Sequence, residues 1–163
     1  MQEDITQEEL KRYEELQIMA LEFARRGKTK ELESMIDAGL GVNLSDHKGN
    51  SLLMLASYNG NLDTTTMLIS KNADIDRKND RGQTPLAGVC FKGYLDIVKV
   101  LVEAGANIYE NNGLGTTPLF FASMFGHSDI VKYLQDRKKL GFKAKIYLAF
   151  AKLIRVFRKN PNN

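Results

Sequence analysis

Few side chains in this 163-residue chain have the types and spacing that chemistry requires. His127, Ser128 and Asp129 carry the three groups of a hydrolytic triad, but they are consecutive and so cannot converge on one substrate atom. The two histidines, His47 and His127, and the single cysteine, Cys90, are too few to build a structural zinc site. One cysteine also excludes an internal disulfide framework and fits a reducing compartment. Cys90 beside Phe91 reads as a small core residue rather than a reactive thiol. Gly113-Leu114-Gly115 lacks the preceding strand and the basic residue of a phosphate loop. Tyr58 allows a sharper idea, because a phenolate can ligate haem iron, with Phe91, Met124 and Phe125 to cover a porphyrin and His47 as the nearest conventional ligand. The bland reading of Tyr58 is a contact residue. No catalytic constellation emerges, and the expectation is a non-enzymatic protein that requires no cofactor or metal.

The elements that position these residues follow from a period of 33. Gly27, Gly60, Gly93 and Gly126 are 33 apart, and so are Gly49, Gly82 and Gly115. Thr84-Pro85-Leu86 returns as Thr117-Pro118-Leu119, and Asp96-Ile97-Val98-Lys99 returns as Asp129-Ile130-Val131-Lys132. Pro85 and Pro118 fit the first turn of a helix, where the missing N–H costs nothing. Thr84, Thr117 and Ser51 fit its N-cap, and Gly60, Gly93 and Gly126 its left-handed end. The second helices are expected to bury Leu62, Leu68 and Ile69, then Leu95, Val98, Leu101 and Val102, then Ile130, Val131 and Leu134. Gly39 and Gly105 close them, with Asn72 as a permitted substitute. Such helix pairs cannot bury an apolar face alone, so neighbours must stack into an all-α solenoid. The expected divisions are N-terminal capping helices at 1–45 with a polar outer face, repeats at 46–78, 79–111 and 112–138, and a C-terminal segment at 139–163.

These segments resemble the ankyrin repeat over about residues 13–136, most closely in the repeats that begin at Asn79 and Asn112. Met54, Ala87 and Phe120 stand where the family's TPLH motif has its histidine, so the cross-repeat bonds of that histidine must be absent or replaced, with weaker coupling expected. The resemblance implies a concave face lined by hairpin tips and by the ends of the first helices. By register these positions are His47, Lys48, Arg81 and Leu114 at the tips, then Tyr58 and Asn59, Phe91 and Lys92, Met124 and Phe125. Aromatic residues and Met rimmed by charge suit a protein partner; packing of these rings on one another between repeats is the alternative. The chain is also similar to small bacterial ankyrin proteins of four repeats, some encoded beside catalase. That likeness implies catalase as a partner, support of its activity or haem supply, and resistance to oxidative stress.

Charge separates sharply along the chain. Residues 1–136 hold 14 basic and 20 acidic side chains, and the last 27 hold nine basic and none acidic. Residues 142–158 plot as an amphipathic helix, with Phe142, Ile146, Phe150, Leu153 and Phe157 on one side and Lys145, Lys152 and Arg155 on the other. Three readings stay open for it: a cap on the last repeat, an interfacial helix on an anionic membrane that would make the protein a peripheral adaptor, or a docking helix for an acidic groove. Nucleic acid is not an expected partner, because no binding motif accompanies the charge. With no secretory leader or apolar span at the start of the sequence, the expectation is a soluble, cytoplasmic monomer.

Overall fold

The computed structural model describes residues 6–138. Within them lie helices α1 (Gln7–Arg26), α2 (Thr29–Asp37), α3 (Leu52–Tyr58), α4 (Leu62–Ser70), α5 (Pro85–Lys92), α6 (Leu95–Glu103) and α7 (Pro118–Met124), and then α8, whose described part is 128–138. The amphipathic segment 142–158 lies outside the described residues. Among the described residues the only ladder pairing is one isolated bridge, Ser45 to Ser51, at the base of the first hairpin.

The short inner helices start where capping chemistry places them. Ser51, Thr84 and Thr117 each accept, through the side-chain hydroxyl, the backbone N–H three residues on, at 3.2, 3.3 and 3.3 Å. Pro85 and Pro118 occupy the first turns of α5 and α7. α1 opens with a reciprocal box in which Thr6 caps Glu9 and the Glu9 carboxylate accepts from the Thr6 backbone. Asn72 takes the left-handed conformation, φ 62°, that was expected at the end of α4.

Helices α1, α3, α5 and α7 stack as an inner layer, while α2, α4 and α6 stack as an outer one. One continuous core runs through both, from Ala20, Ala24 and Leu32 through Leu68, Leu86 and Leu101 to Ile130 and Leu134. α4 departs from the apolar pattern. Leu62 is exposed, and Thr64 and Thr65 are buried in its stead. Their hydroxyls are satisfied locally: Thr65 Oγ1 donates to the Asn61 carbonyl at 2.8 Å, and Thr64 Oγ1 pairs with Thr29 Oγ1 at 2.7 Å. A buried threonine with a partner is thus an acceptable core residue.

The polar outer face expected of the N-terminal cap is not what forms. α1 has 20 residues against seven or eight in the other inner helices. Its N-terminal part, from Gln7 to Met19, leaves Leu10, Tyr13, Leu16, Ile18 and Met19 exposed. At the other end of the described inner layer an apolar side chain is likewise exposed. Met54 and Ala87 are 5% and 1% exposed because the next repeat stacks on them, whereas the equivalent Phe120 is 47% exposed.

A polar or aromatic side chain reaches back across each repeat junction. Asn61 Nδ2 donates to the carbonyls of Ala24 and Arg25, both at 2.9 Å. The Tyr94 ring lies over Gly60, and the His127 ring over Gly93. His127 Nε2 donates to the Phe91 carbonyl at 3.0 Å, so the ring carries its proton there. Gly93 has φ 84°, and a Cβ on it would sit 2.5 Å from the His127 ring. Gly93→Ala should therefore destabilise the fold by about 2 kcal/mol or more, the left-handed penalty plus loss of that contact. Gly82→Ala, at φ 73° with open space around it, should cost only about 1–2 kcal/mol. Urea denaturation of both variants measures the difference.

Candidate functional site

The site begins with two hairpin tips built by Asx side chains at the period of 33. Asp46 Oδ1 accepts the backbone N–H groups of Lys48 and Asn50 at 3.0 Å each. Its Oδ2 accepts from Asn50 Nδ2 at 3.1 Å and from Arg25 Nη2 at 2.9 Å. Burial pushes this carboxyl upward, but the Asn50 and Lys48 hydrogen bonds and the Arg25 charge outweigh it and hold Asp46 below the ordinary aspartate value. Asn79 repeats the motif, accepting from the N–H groups of Arg81 and Gln83 at 3.0 Å each. Its Nδ2 donates to Asn50 Oδ1 at 2.9 Å, and Asp80 N–H donates to the Lys48 carbonyl at 3.1 Å, so the two tips are tied together.

The third tip breaks the period. Asn111, one residue earlier than the spacing requires, accepts from the Gly113 and Gly115 N–H groups at 3.0 and 3.2 Å. Asn112 turns inward instead, accepting the Thr84 N–H at 2.8 Å and the Thr84 hydroxyl at 3.0 Å. It supplies a cross-repeat bond next to the position where the family histidine is missing. This shift leaves Leu114 at φ 50° and fully exposed, standing apart from the first two tips.

Behind the tips, the ends of the inner helices present an aromatic row. The rings of Tyr58 and Phe91 are nearly parallel, 9° apart, with centroids 6.3 Å apart. Phe91 meets Phe125 edge-on at 4.4 Å and 68°. The residue that extends the row is Phe125 rather than Met124, the position 33 beyond Phe91. All four side chains remain exposed, so stacking between repeats and presentation to solvent occur together. Lys92 Nζ sits 5.2 Å from the Tyr58 ring centroid and 5.9 Å from that of Tyr94, within cation–π range. Gly88, in mid-helix, lets Tyr58 lie against α5; a Cβ there would come within 3.1 Å of the ring.

Tips and row enclose a groove of about 610 Å³ that brings together His47, Lys48, Tyr58, Asn59 and Arg81. Phe91, Lys92, Met124, Phe125 and Leu114 lie outside its lining. Asp80, a tip position by register, lines it too, whereas sequence reasoning missed Arg25, Asp46, Asn79 and Gly88. The signal for two of them was present, since Asp46 and Asn79 are 33 apart and each precedes a tip by two residues.

A haem would need apolar walls against both porphyrin faces. Here Asp46, Asn50, Asn79, Asp80, Arg81 and Gln83 line the groove, with Met54 and Leu55 as its aliphatic lining. The Tyr58 ring is already engaged by Phe91 and Lys92. These residues do not fit a porphyrin. His127, 36 residues on from Phe91, serves the repeat junction. Burial pushes the Cys90 thiol up to about 12, which keeps it unreactive at neutral pH. Among the described residues there is no group of three or more His, Cys, Asp or Glu able to hold a metal ion. None of their helices is long and apolar enough to cross a membrane.

The stacked helix pairs, hairpin tips and 33-residue junctions have a counterpart in sequence comparison. The family model described as ankyrin repeats (3 copies) matches residues 18–112 and 53–145. The chain belongs to the ankyrin-repeat family. A Pseudomonas aeruginosa protein named for its ankyrin repeats is 50% identical over 46 residues, which are 28% of this chain and 27% of that relative. The match thus spans about a quarter of the relative's length. Ankyrin repeats are protein-interaction modules rather than enzymes as a family, and a protein partner is their general implication.

Two carboxyls give opposite pH signatures. Asp46 is held low, so its contribution is present above the ordinary aspartate value and disappears as pH falls from about 4 through the lowered one. Asp76 is raised, chiefly by burial; the Asn107 N–H opposes this, and Glu110 and Asp74 add to it. Ionised Asp76 therefore costs stability at neutral pH. Asp46→Asn should lose about 1–3 kcal/mol at pH 7 and flatten the acid limb of the stability curve. Asp76→Asn, which keeps an acceptor for Asn107, should gain stability at pH 7 and lose that gain below about pH 4. Denaturant midpoints between pH 3 and 7 test both.

Proposed function

We propose that this ankyrin protein binds a protein partner through its concave face, with Tyr58, Phe91 and Phe125 as anchors and Lys48, Arg81 and Lys92 at the rim. The observation that carries the reading is the aromatic row. Three rings from three successive repeats are held against one another by 6.3 and 4.4 Å contacts and yet stay exposed. Aromatic side chains with little remaining freedom are favoured as interface anchors, because little more is lost on binding. Met124 extends the apolar surface beside Phe125, and Asn59 offers an amide at the groove wall.

The partner implied by the resemblance is catalase, in support of its activity under oxidative stress. Direct contact through the concave face is the form of that role consistent with the polar groove. Purified catalase from the same cell should be retained by the immobilised full chain and released by Phe91→Ala, with a loss of affinity of about tenfold or more. Retention unaffected by Phe91→Ala would remove the concave face from the interaction. Haem supply through Tyr58 is not part of this reading. Hemin titration should give the same spectrum with the wild-type chain and with Tyr58→Phe, and a phenolate-ligand band present only in the wild type would reverse that conclusion.

A further inference from the structure

The concave face carries a charge of its own sign, opposite to that of the body. Residues 1–136 have an excess of six acidic side chains. Of the described basic residues, Arg25, Arg26, Lys28, Lys71, Lys78, Lys99 and Arg137 are each paired with a carboxylate. Lys48, Arg81 and Lys92 have no carboxylate partner among the described residues, as is also true of Lys11, Arg12, Lys30, Arg77 and Lys132, and these three are brought together at the tips and the aromatic row. The one acidic side chain that could oppose them by proximity at the first tip, Asp46, is consumed by Arg25, Asn50 and the Lys48 N–H. Asp80 is the remaining carboxylate in the groove lining without such a partner.

The backbone that carries two of these cations, and the charged end of the third, are held in place. The backbone N–H groups of Lys48 and Arg81 are each fixed by an Asx side chain. The Lys92 ammonium rests over the Tyr58 and Tyr94 rings. Beside them lie the exposed faces of Tyr58, Phe91 and Phe125. We infer that the concave face takes an acidic segment of a partner protein that carries a large apolar side chain, its carboxylates meeting Lys48 and Arg81 in the groove and Lys92 beside it, and its apolar group lying on Phe91. The acidic excess of residues 1–136 supports this choice, because it disfavours the same segment on the rest of the repeat body. The inference rests on the concave face being the binding surface and adds the chemical class of what binds there.

The test uses the full chain and two fluorescein-labelled synthetic peptides of 12 residues. One is rich in Glu and contains Phe and Leu; the other has Lys at every Glu position. Fluorescence anisotropy at low salt should show the acidic peptide bound about tenfold more tightly or better, with the preference shrinking as salt is raised. Arg81→Glu/Lys92→Glu should reverse the preference. Lys92→Gln, which keeps the aliphatic stem but loses the cation–π contacts, should weaken it while the chain stays folded. Equal binding of both peptides, lost in Phe91→Ala, overturns the charge assignment while leaving the concave surface in place. Acidic-peptide binding that ignores both Phe91→Ala and the charge reversals overturns the surface as well. Absence of binding by either peptide at millimolar concentration overturns the inference. So does self-association of the free chain that Lys92→Glu abolishes, because the occupant is then the acidic α1 of a second copy.

Discussion

Every repeat junction in this protein depends on one contact, in which the residue that opens an outer helix reaches back over the glycine that ended the preceding inner helix. Asn61, Tyr94 and His127 occupy this place in turn, over Gly27, Gly60 and Gly93. Asn61 and His127 donate to carbonyls that the helix end leaves without a partner. The contact therefore does two things at once. It satisfies backbone groups that would be costly to bury, and it sets how closely one helix pair approaches the next. The absence of a side chain on the glycine is what makes that approach available.

The hairpins obey a related rule, with an Asx side chain in place of a ladder. Asp46, Asn79 and Asn111 each take two loop N–H groups, so the tips are ordered without any strand. Loss of the family histidine at Met54, Ala87 and Phe120 does not leave the repeats unbonded on this side. Asn50 and Asn79 bridge the first junction, and Thr84 and Asn112 the second. The substitution moves polar coupling from the start of the inner helix to the base of the hairpin, close to the groove. Structural coupling and the candidate binding surface consequently share residues.

The helices, their caps and their stacking were legible because each rests on a local rule repeated at fixed spacing. Thr84-Pro85 with Gly93 announces a short helix whatever surrounds it. The buried Thr64 and Thr65 were not legible, because their burial is permitted by Thr29 and by a carbonyl in their own helix rather than by apolarity. The open stripe of α1 was misread for the opposite reason. Its periodicity is real, but periodicity does not reveal how far the neighbouring helices extend. Of the candidate site, the aromatic row could be read from register, with Phe125 rather than its neighbour Met124, both concave-face positions by register, as the third ring. The fate of Asp46 could not, since only the fold brings Arg25 to it. Leu114 lies outside the groove because the turn slipped by one residue to Asn111, a choice between two adjacent asparagines that spacing alone leaves undecided.

Phe91 joins these themes in a single residue. Its carbonyl is the acceptor for His127, while its ring is pressed between Tyr58 and Phe125. Backbone and side chain are thus both immobilised by the repeats on either side. The rotameric entropy of this ring is lost when the chain folds, not when something lands on it. An unconstrained interfacial side chain would forfeit about 0.5–1.5 kcal/mol at that moment. The solenoid has therefore prepaid the ordering of its central contact, and rigidity conferred by stacking becomes, on the concave side, a lower entropic barrier to recognition.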